Sequence, residues 1–335
     1  MKNLYKLTFY LTMLTGTMIT ISSNSWISMW MGLEINLLSI IPLLSNTKNK
    51  FESEAAMKYF IVQALASTVF LMSIIMKLSD IEMLNSSNVT SLIMDSAILT
   101  KMGAAPFHFW FPEIMEGLSW INSTIMLTWQ KIGPMIIFMY SPKSMIFTFF
   151  VIISSMTISG IMGINQTSMR KIMAYSSINH IGWMIGALLC NQTVWTIYLF
   201  IYTLMTININ MMLKKLNIFS TKQMTNMMNQ SKNMKLLFSM NFLSLGGIPP
   251  FVGFIPKWLT INSMIQSNMI FMSILMIILT LLTLFFYMRI SFSSIMMTMT
   301  EKKKTMSNPM KLKMLFTNFI VLSSLSLCSM TMIFI

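Results

Sequence analysis

The chain has 335 residues, of which 55% are hydrophobic and only 10% charged, whereas an ordinary water-soluble domain carries about a quarter charged residues. With a mean hydropathy of +0.69 a soluble fold is excluded, and the length accommodates about ten to twelve spanning helices with no room for a soluble domain. The net charge of +14 falls in short segments between apolar runs, which marks membrane topology rather than a nucleic-acid surface.

Hydropathy predicts spans near 5–23, 25–45, 56–77, 90–110, 118–140, 144–164, 170–190, 193–213, 236–266, 269–293 and 315–335. The first run, from Tyr5 to Ser23, flows into the second without a small-residue cleavage pattern, so neither a signal peptide nor a transit peptide is expected. The second span carries Glu34, and the third has Lys58 and Lys77 near its ends, within snorkelling reach of the interface. The fourth carries Lys101, and just past it Glu113 and Glu116 are expected to lie in a solvated loop. The fifth holds Lys131 about eleven residues inside its span, roughly 16 Å of helix and beyond comfortable reach of either headgroup layer.

The seventh span contains the polar streak Tyr175-Ser176-Ser177-Ile178-Asn179-His180, in which His180 either relays protons or is a hydrogen-bonded packing residue. The ninth is too long for one plain helix, and its Gly246-Gly247-Ile248-Pro249-Pro250 run must interrupt helical hydrogen bonding. Such a break is tolerated at membrane depth only where protein or a water-filled cavity covers it. Lys257 follows, and Arg289 in the tenth span is again near an interface.

Loop charges test the count independently, because each added span moves every later loop to the other side. With eleven spans, the N-terminal side collects Lys2, Lys6, Lys48, Lys50, Arg170, Lys171, Lys214, Lys215, Lys222, Lys232, Lys235, Lys302, Lys303, Lys304, Lys311 and Lys313, while the other side has little beyond Lys77 and Lys143. The positive-inside rule therefore puts the N-terminus in the matrix or cytoplasm and the C-terminus on the opposite side.

The fourth and ninth spans share the pattern G-x-x-P-F-x-x-x-x-P, running from Gly103 to Pro112 and from Gly247 to Pro256. Five helices apart, they cross in opposite directions, as two inverted five-helix repeats require, and interrupted helices at matching repeat positions point to a transport site. The expected fold is an all-α integral membrane protein in a single membrane domain. It comprises a first repeat (1–140), an inverted second repeat (144–293) and a C-terminal helix (315–335).

An ionisable group near the bilayer centre costs about 2.5–3.5 kcal/mol on insertion scales, so it persists only if paired, hydrated or useful. Glu34, Lys101, Lys131 and Lys257 qualify by depth, with His180 as a fifth candidate, and Glu34 reads as the one central carboxylate. Removal from water disfavours an ammonium and a nearby carboxylate favours it, so such a row, linked by water, can exchange protons. The interrupted helix beside Lys101 also frees carbonyls to hold a cation or order water. With only His108 and His180, no Gly-rich nucleotide loop, and Cys190 and Cys328 standing singly as packing residues, no redox centre or metal site is expected in this chain.

Three stretches carry a resemblance: Trp30-Met31-Gly32-Leu33-Glu34-Ile35-Asn36-Leu37, then Lys101 through Pro112, and Asn241 through Phe251 running on to Lys257-Trp258. In this order they resemble the antiporter-like subunit family of the membrane arm of respiratory complex I, in the shortened animal mitochondrial form. The 42 methionines, with abundant Ile, Asn, Phe and Lys, look like the product of an AT-rich animal mitochondrial genome, since Met replaces Leu or Ile at little cost.

The resemblance implies that Glu34, Lys101, Lys131 and Lys257 carry protons and that His180 matches a family helix histidine. It also implies that NADH, FMN, iron–sulfur clusters and ubiquinone belong to other subunits. The implied partners are other membrane-arm and accessory subunits and membrane lipids, with no nucleic acid. The implied site is the mitochondrial inner membrane, with the N-terminus in the matrix and the C-terminus in the intermembrane space. Two other readings compete: a stand-alone cation/proton antiporter, from which a carboxylate-rich ion site would be expected, and a structural spacer whose lysines merely pair with neighbours.

Overall fold

The computed structural model describes residues 2–46, 49–79, 87–228 and 232–296. The predicted helix at 315–335, the loop from Glu301 to Lys313, Lys48 and Cys328 lie outside the described residues. Every named element is a helix: α1 (Lys2–Ser22), α2 (Trp26–Leu44), α3 (Lys50–Ser79), α4 (Ser87–Met102), α5 (Trp110–Gly117), α6 (Trp120–Leu127), α7 (Trp129–Tyr140), α8 (Met145–Ile164), α9 (Met169–Cys190), α10 (Gln192–Leu216), α11 (Thr221–Met228), α12 (Lys232–Gly246), α13 (Phe254–Gln266) and α14 (Ile270–Met296). Among the described residues the sole β pairing is one bridge between Ser168 and Ser220. Among the described residues six helices, α2, α3, α8, α9, α10 and α14, are by themselves long and apolar enough to cross a membrane.

The chain divides into two compact units, Met1–Ser154 and Ser155–Ile335. In the first, α1 packs along α2, α3 packs on α2, α4 and α5, and α7 rests on α4 and α1. The α1–α2 crossing is set by glycine: a Cβ on Gly32 would stand 2.8 Å from the backbone nitrogen of Thr20, and one on Gly16 would stand 2.9 Å from that of Asn36. In the second unit α9 is buried along most of its length and packs against α10, α13 and α14, while α12 packs on α14 and α10. The outward face of α14 shows Ile274, Ile278, Leu281 and Phe285, the apolar surface that lipid or neighbouring membrane helices require.

Both G-x-x-P-F segments are interrupted, at 103–109 between α4 and α5 and at 247–253 between α12 and α13. The fourth span does not stop at 110 as predicted, because helix resumes at Trp110 and continues to Gly117. Pro112 is the third residue of that helix, within the first turn where its missing N–H breaks no intrahelical bond. The fifth span also comes in two pieces, α6 and α7, divided at Thr128 with ψ of −69°. There the Lys131 amide donates to Thr128 O at 3.4 Å, a tight i−3 bond at the restart. The short helix α11 inside the basic loop was not predicted.

Candidate functional site

In the first unit α4 closes at Gly103, whose φ of +74° is open to glycine at little cost. Three of the carbonyls at the break are held by side chains. Trp110 Nε1 donates to Thr100 O at 3.1 Å, Gln63 Nε2 to Lys101 O at 3.4 Å, and Ser154 Oγ to Ala105 O at 3.0 Å. At Thr100, Lys101 and Ala105 the carbonyls expected to be open to a cation or to water are taken by protein donors.

The Lys101 side chain is buried and lines a cavity of about 20 Å³ together with Asn36, Tyr59, Gln63 and Gln130, room for one water molecule. Gln130 Nε2 donates to Asn36 Oδ1 at 3.0 Å, and Tyr59 Oη donates to Gln130 Oε1 at 3.5 Å. Glu34, half-buried on α2, makes no direct ion pair with Lys101, although its charge acts on that ammonium. Its buried Oε1 has no hydrogen-bond partner. Lys131 is 2% exposed, with Nζ 5.8 Å from the centre of the Phe111 ring, a cation–π distance.

In the second unit Lys257 is buried in the first turn of α13 and donates from Nζ to Gly246 O at 2.8 Å, with the Trp183 ring 5.9 Å away. Here the interrupted helix holds the chain's own ammonium, at a break other than the one beside Lys101 for which a held cation was expected. No Asp or Glu occurs between Glu116 and Glu301, so a neutral carbonyl and an indole face take the place of a carboxylate. His180 is fully enclosed on α9, three residues before Trp183. Its Nδ1 shares a 2.8 Å hydrogen bond with Tyr198 Oη, and the Tyr202 ring lies 5.0 Å away.

Several residues were missed or misplaced by sequence reasoning. Asp95, fully buried on α4, is a second intramembrane carboxylate beside Glu34; an acidic residue within the predicted fourth span was the available signal. The polar groups around Lys101 carried no separable signal, because isolated Gln, Asn and Tyr are ordinary in apolar helices. Glu113 is not in a loop. It sits on α5 and accepts from Lys58 Nζ at 3.2 Å on the surface, where Lys58 also meets Glu54 at 3.3 Å. Arg289 reaches Ile164 O at 2.6 Å.

The three central lysines all stand within one turn of an interruption: Lys101 before the end of α4, Lys131 after the start of α7, and Lys257 after the start of α13. A helix dipole favours a cation at a C-terminal end and disfavours one in a first turn, so the three amines are electrostatically unequal. Buried, unequal amines, with water-sized space beside Lys101, are the kind of groups stepwise proton transfer uses.

The transmembrane family model of the NADH:quinone oxidoreductase/Mrp antiporters matches residues 23–283. The NADH-ubiquinone oxidoreductase chain 2 of Anopheles gambiae is 44% identical over 98% of both chains. Among solved structures, a chain of respiratory complex I from Thermus thermophilus superposes with a TM-score of 0.82 at 20% identity, covering 97% of this chain and 77% of that one. A chain of the Mrp complex from a Dietzia species superposes at 0.69 and 17% identity, covering 84% and 59%. Sequence identity along the whole chain and the shared all-helical fold agree, and the chain belongs to the NADH:quinone oxidoreductase/Mrp antiporter family, as an antiporter-like, proton-translocating subunit of the NADH-ubiquinone oxidoreductase chain 2 kind.

Proposed function

We propose that the proton path of this chain is built from Glu34, Lys101 and Lys131 in the first unit and from Lys257 and His180 in the second, serving the proton translocation coupled to electron transfer from NADH to ubiquinone. NADH, FMN, iron–sulfur clusters and ubiquinone are held by other subunits of the complex. The chain works among membrane-arm and accessory subunits in the mitochondrial inner membrane, with its N-terminus in the matrix and its C-terminus in the intermembrane space. The observation that carries this reading is that all three buried lysines sit at helix interruptions, where the backbone pattern is broken beside an amine able to lose and regain a proton, with water-sized space beside Lys101.

A substitution that keeps the charge separates relay from charge pairing. Arginine stays protonated at all relevant pH, whereas a desolvated lysine exchanges its proton. Complexes carrying Lys101→Arg or Lys131→Arg are expected to assemble but to lose proton pumping, or coupled NADH–ubiquinone turnover with it. Lys→Met complexes, which can carry no proton at that position, set the level of full loss against which the arginine variants are compared, and assembly is measured alongside. Normal pumping per electron with both arginines present would leave these lysines a structural role. The stand-alone antiporter reading is disfavoured by the absence of carboxylates between Glu116 and Glu301, since hard cations take oxygen ligands.

A further inference from the structure

Asp95 stands outside the set just described, and nothing in that path uses it. It is the ninth residue of α4, too far in for the helix dipole that favours acids in a first turn. The side chain is fully buried, Oδ1 accepts from Ser141 Oγ at 2.7 Å, and Oδ2 is enclosed with no hydrogen-bond partner. Ser141 caps the end of α7. The charged groups whose fields reach Asp95 are Lys77, on the last turns of α3, and Lys143, just beyond α7.

The connectivity puts these groups at one end of the first unit, where α3 ends, α4 begins and α7 ends. Asp95 lies six residues before Lys101 on α4, roughly 9 Å along the axis. Ser141 lies ten after Lys131, roughly 15 Å. The carboxyl thus stands between the central lysines and the membrane face bearing Lys77 and Lys143. An enclosed carboxylate oxygen without a donor is the position a proton fills, and the two nearby ammonium charges offset the anion once the proton has left.

We infer that Asp95, held by Ser141, is a proton-transfer station between the central lysines of the first unit and the membrane face at which α4 begins. In the step implied, the Lys101 ammonium gives a proton through intervening water to Asp95 Oδ2, leaving a neutral amine and a neutral acid. Asp95 then releases that proton to the face and becomes a carboxylate again, ready for the next.

This inference rests on the lysine path proposed above, and the test separates the two. Complexes assembled with Asp95→Asn, Asp95→Glu or Lys131→Met are compared with wild type for protons translocated per NADH oxidised and for coupled turnover. Asparagine keeps the shape and the bond from Ser141 but cannot carry the proton, so pumping or coupled turnover is expected to fall by about tenfold or more, with Asp95→Glu retaining most of it. Wild-type pumping in Asp95→Asn beside a dead Lys131→Met overturns the Asp95 role alone; wild-type pumping in both overturns the lysine path as well. If Asp95→Asn does not assemble, Ser141→Ala decides, because it leaves the carboxyl in place and removes the hydroxyl that holds it, a hydroxyl that also reaches Phe138 O at 3.1 Å. A moved pH profile of coupled turnover supports the station, and an unchanged one overturns it.

Discussion

At Lys257 a side-chain ammonium does the work of a missing backbone N–H. Where α12 stops, the Gly246 carbonyl is taken by Nζ at 2.8 Å, and Gly247 turns the chain away at a φ of +77°. The two adjacent glycines therefore answer differently to a methyl group. On Gly246 a Cβ meets Tyr287 at 3.6 Å, an ordinary contact; on Gly247 it would stand 2.8 Å from Lys257 Cδ and 2.9 Å from its Nζ. The Gly247→Ala change is expected to cost about 1–2 kcal/mol in backbone strain and to dislodge Lys257, lowering the thermal midpoint of the purified complex together with its pumping. The Gly246→Ala change is expected to leave both near wild type. Lys101, Lys131 and Lys257 were legible in the sequence because a charge in an apolar run has few explanations. Asp95 was overlooked because hydropathy averages one acid into its neighbours, and the ring of neutral amides around Lys101 could be found only once α2, α3 and α7 were packed together.

At the scale of the element, the breaks at 103–109 and 247–253 were readable because glycine and proline state their backbone consequence locally. The break at Thr128 was not, since no glycine or proline stands at it and the nearest proline, Pro134, lies six residues on, inside α7. Aligned on their prolines, the two readable breaks place Lys257 opposite Glu113 and Lys101 opposite Leu245. The shared motif therefore repeats the break but not the position of the charge. The close α1–α2 crossing gives an element-level prediction. A Cβ on Gly32 would meet Thr20 Cγ2 at 2.6 Å and the Thr20 backbone nitrogen at 2.8 Å, so even Gly32→Ala forces α2 outward, at about 1–3 kcal/mol for such overpacking. Because α2 also carries Glu34 and Asn36, less assembled complex on a native gel and lower pumping in what does assemble are expected. Both results at wild-type levels would show that the crossing tolerates more space than its geometry implies.

For the whole molecule, the distribution of lysine is the feature that orients the chain, and it argues from parity rather than from any single boundary. Each break moves a helix end without moving the loops across the membrane, so the interrupted fourth, fifth and ninth segments leave the sidedness of the basic loops unchanged. The group from Lys214 to Lys235 and the group from Lys302 to Lys313 are separated by the ninth and tenth predicted spans, an even number, and so share a side on the predicted topology. On the proposed orientation, by the positive-inside rule, that side is the matrix. A membrane-impermeant amine-acylating reagent applied to inside-out inner-membrane vesicles is expected to modify lysines of both groups. In right-side-out mitoplasts it should reach neither group and be confined to Lys77 and Lys143. Detergent-solubilised complex supplies the count of lysines left reactive once neighbouring subunits are in place. Labelling of both groups from the mitoplast side would invert the orientation. Labelling of the two groups from opposite sides would mean that the segment between 236 and 293 crosses an odd number of times, which the interruption at 247–253 would then have to explain as a helix that enters and leaves by the same face.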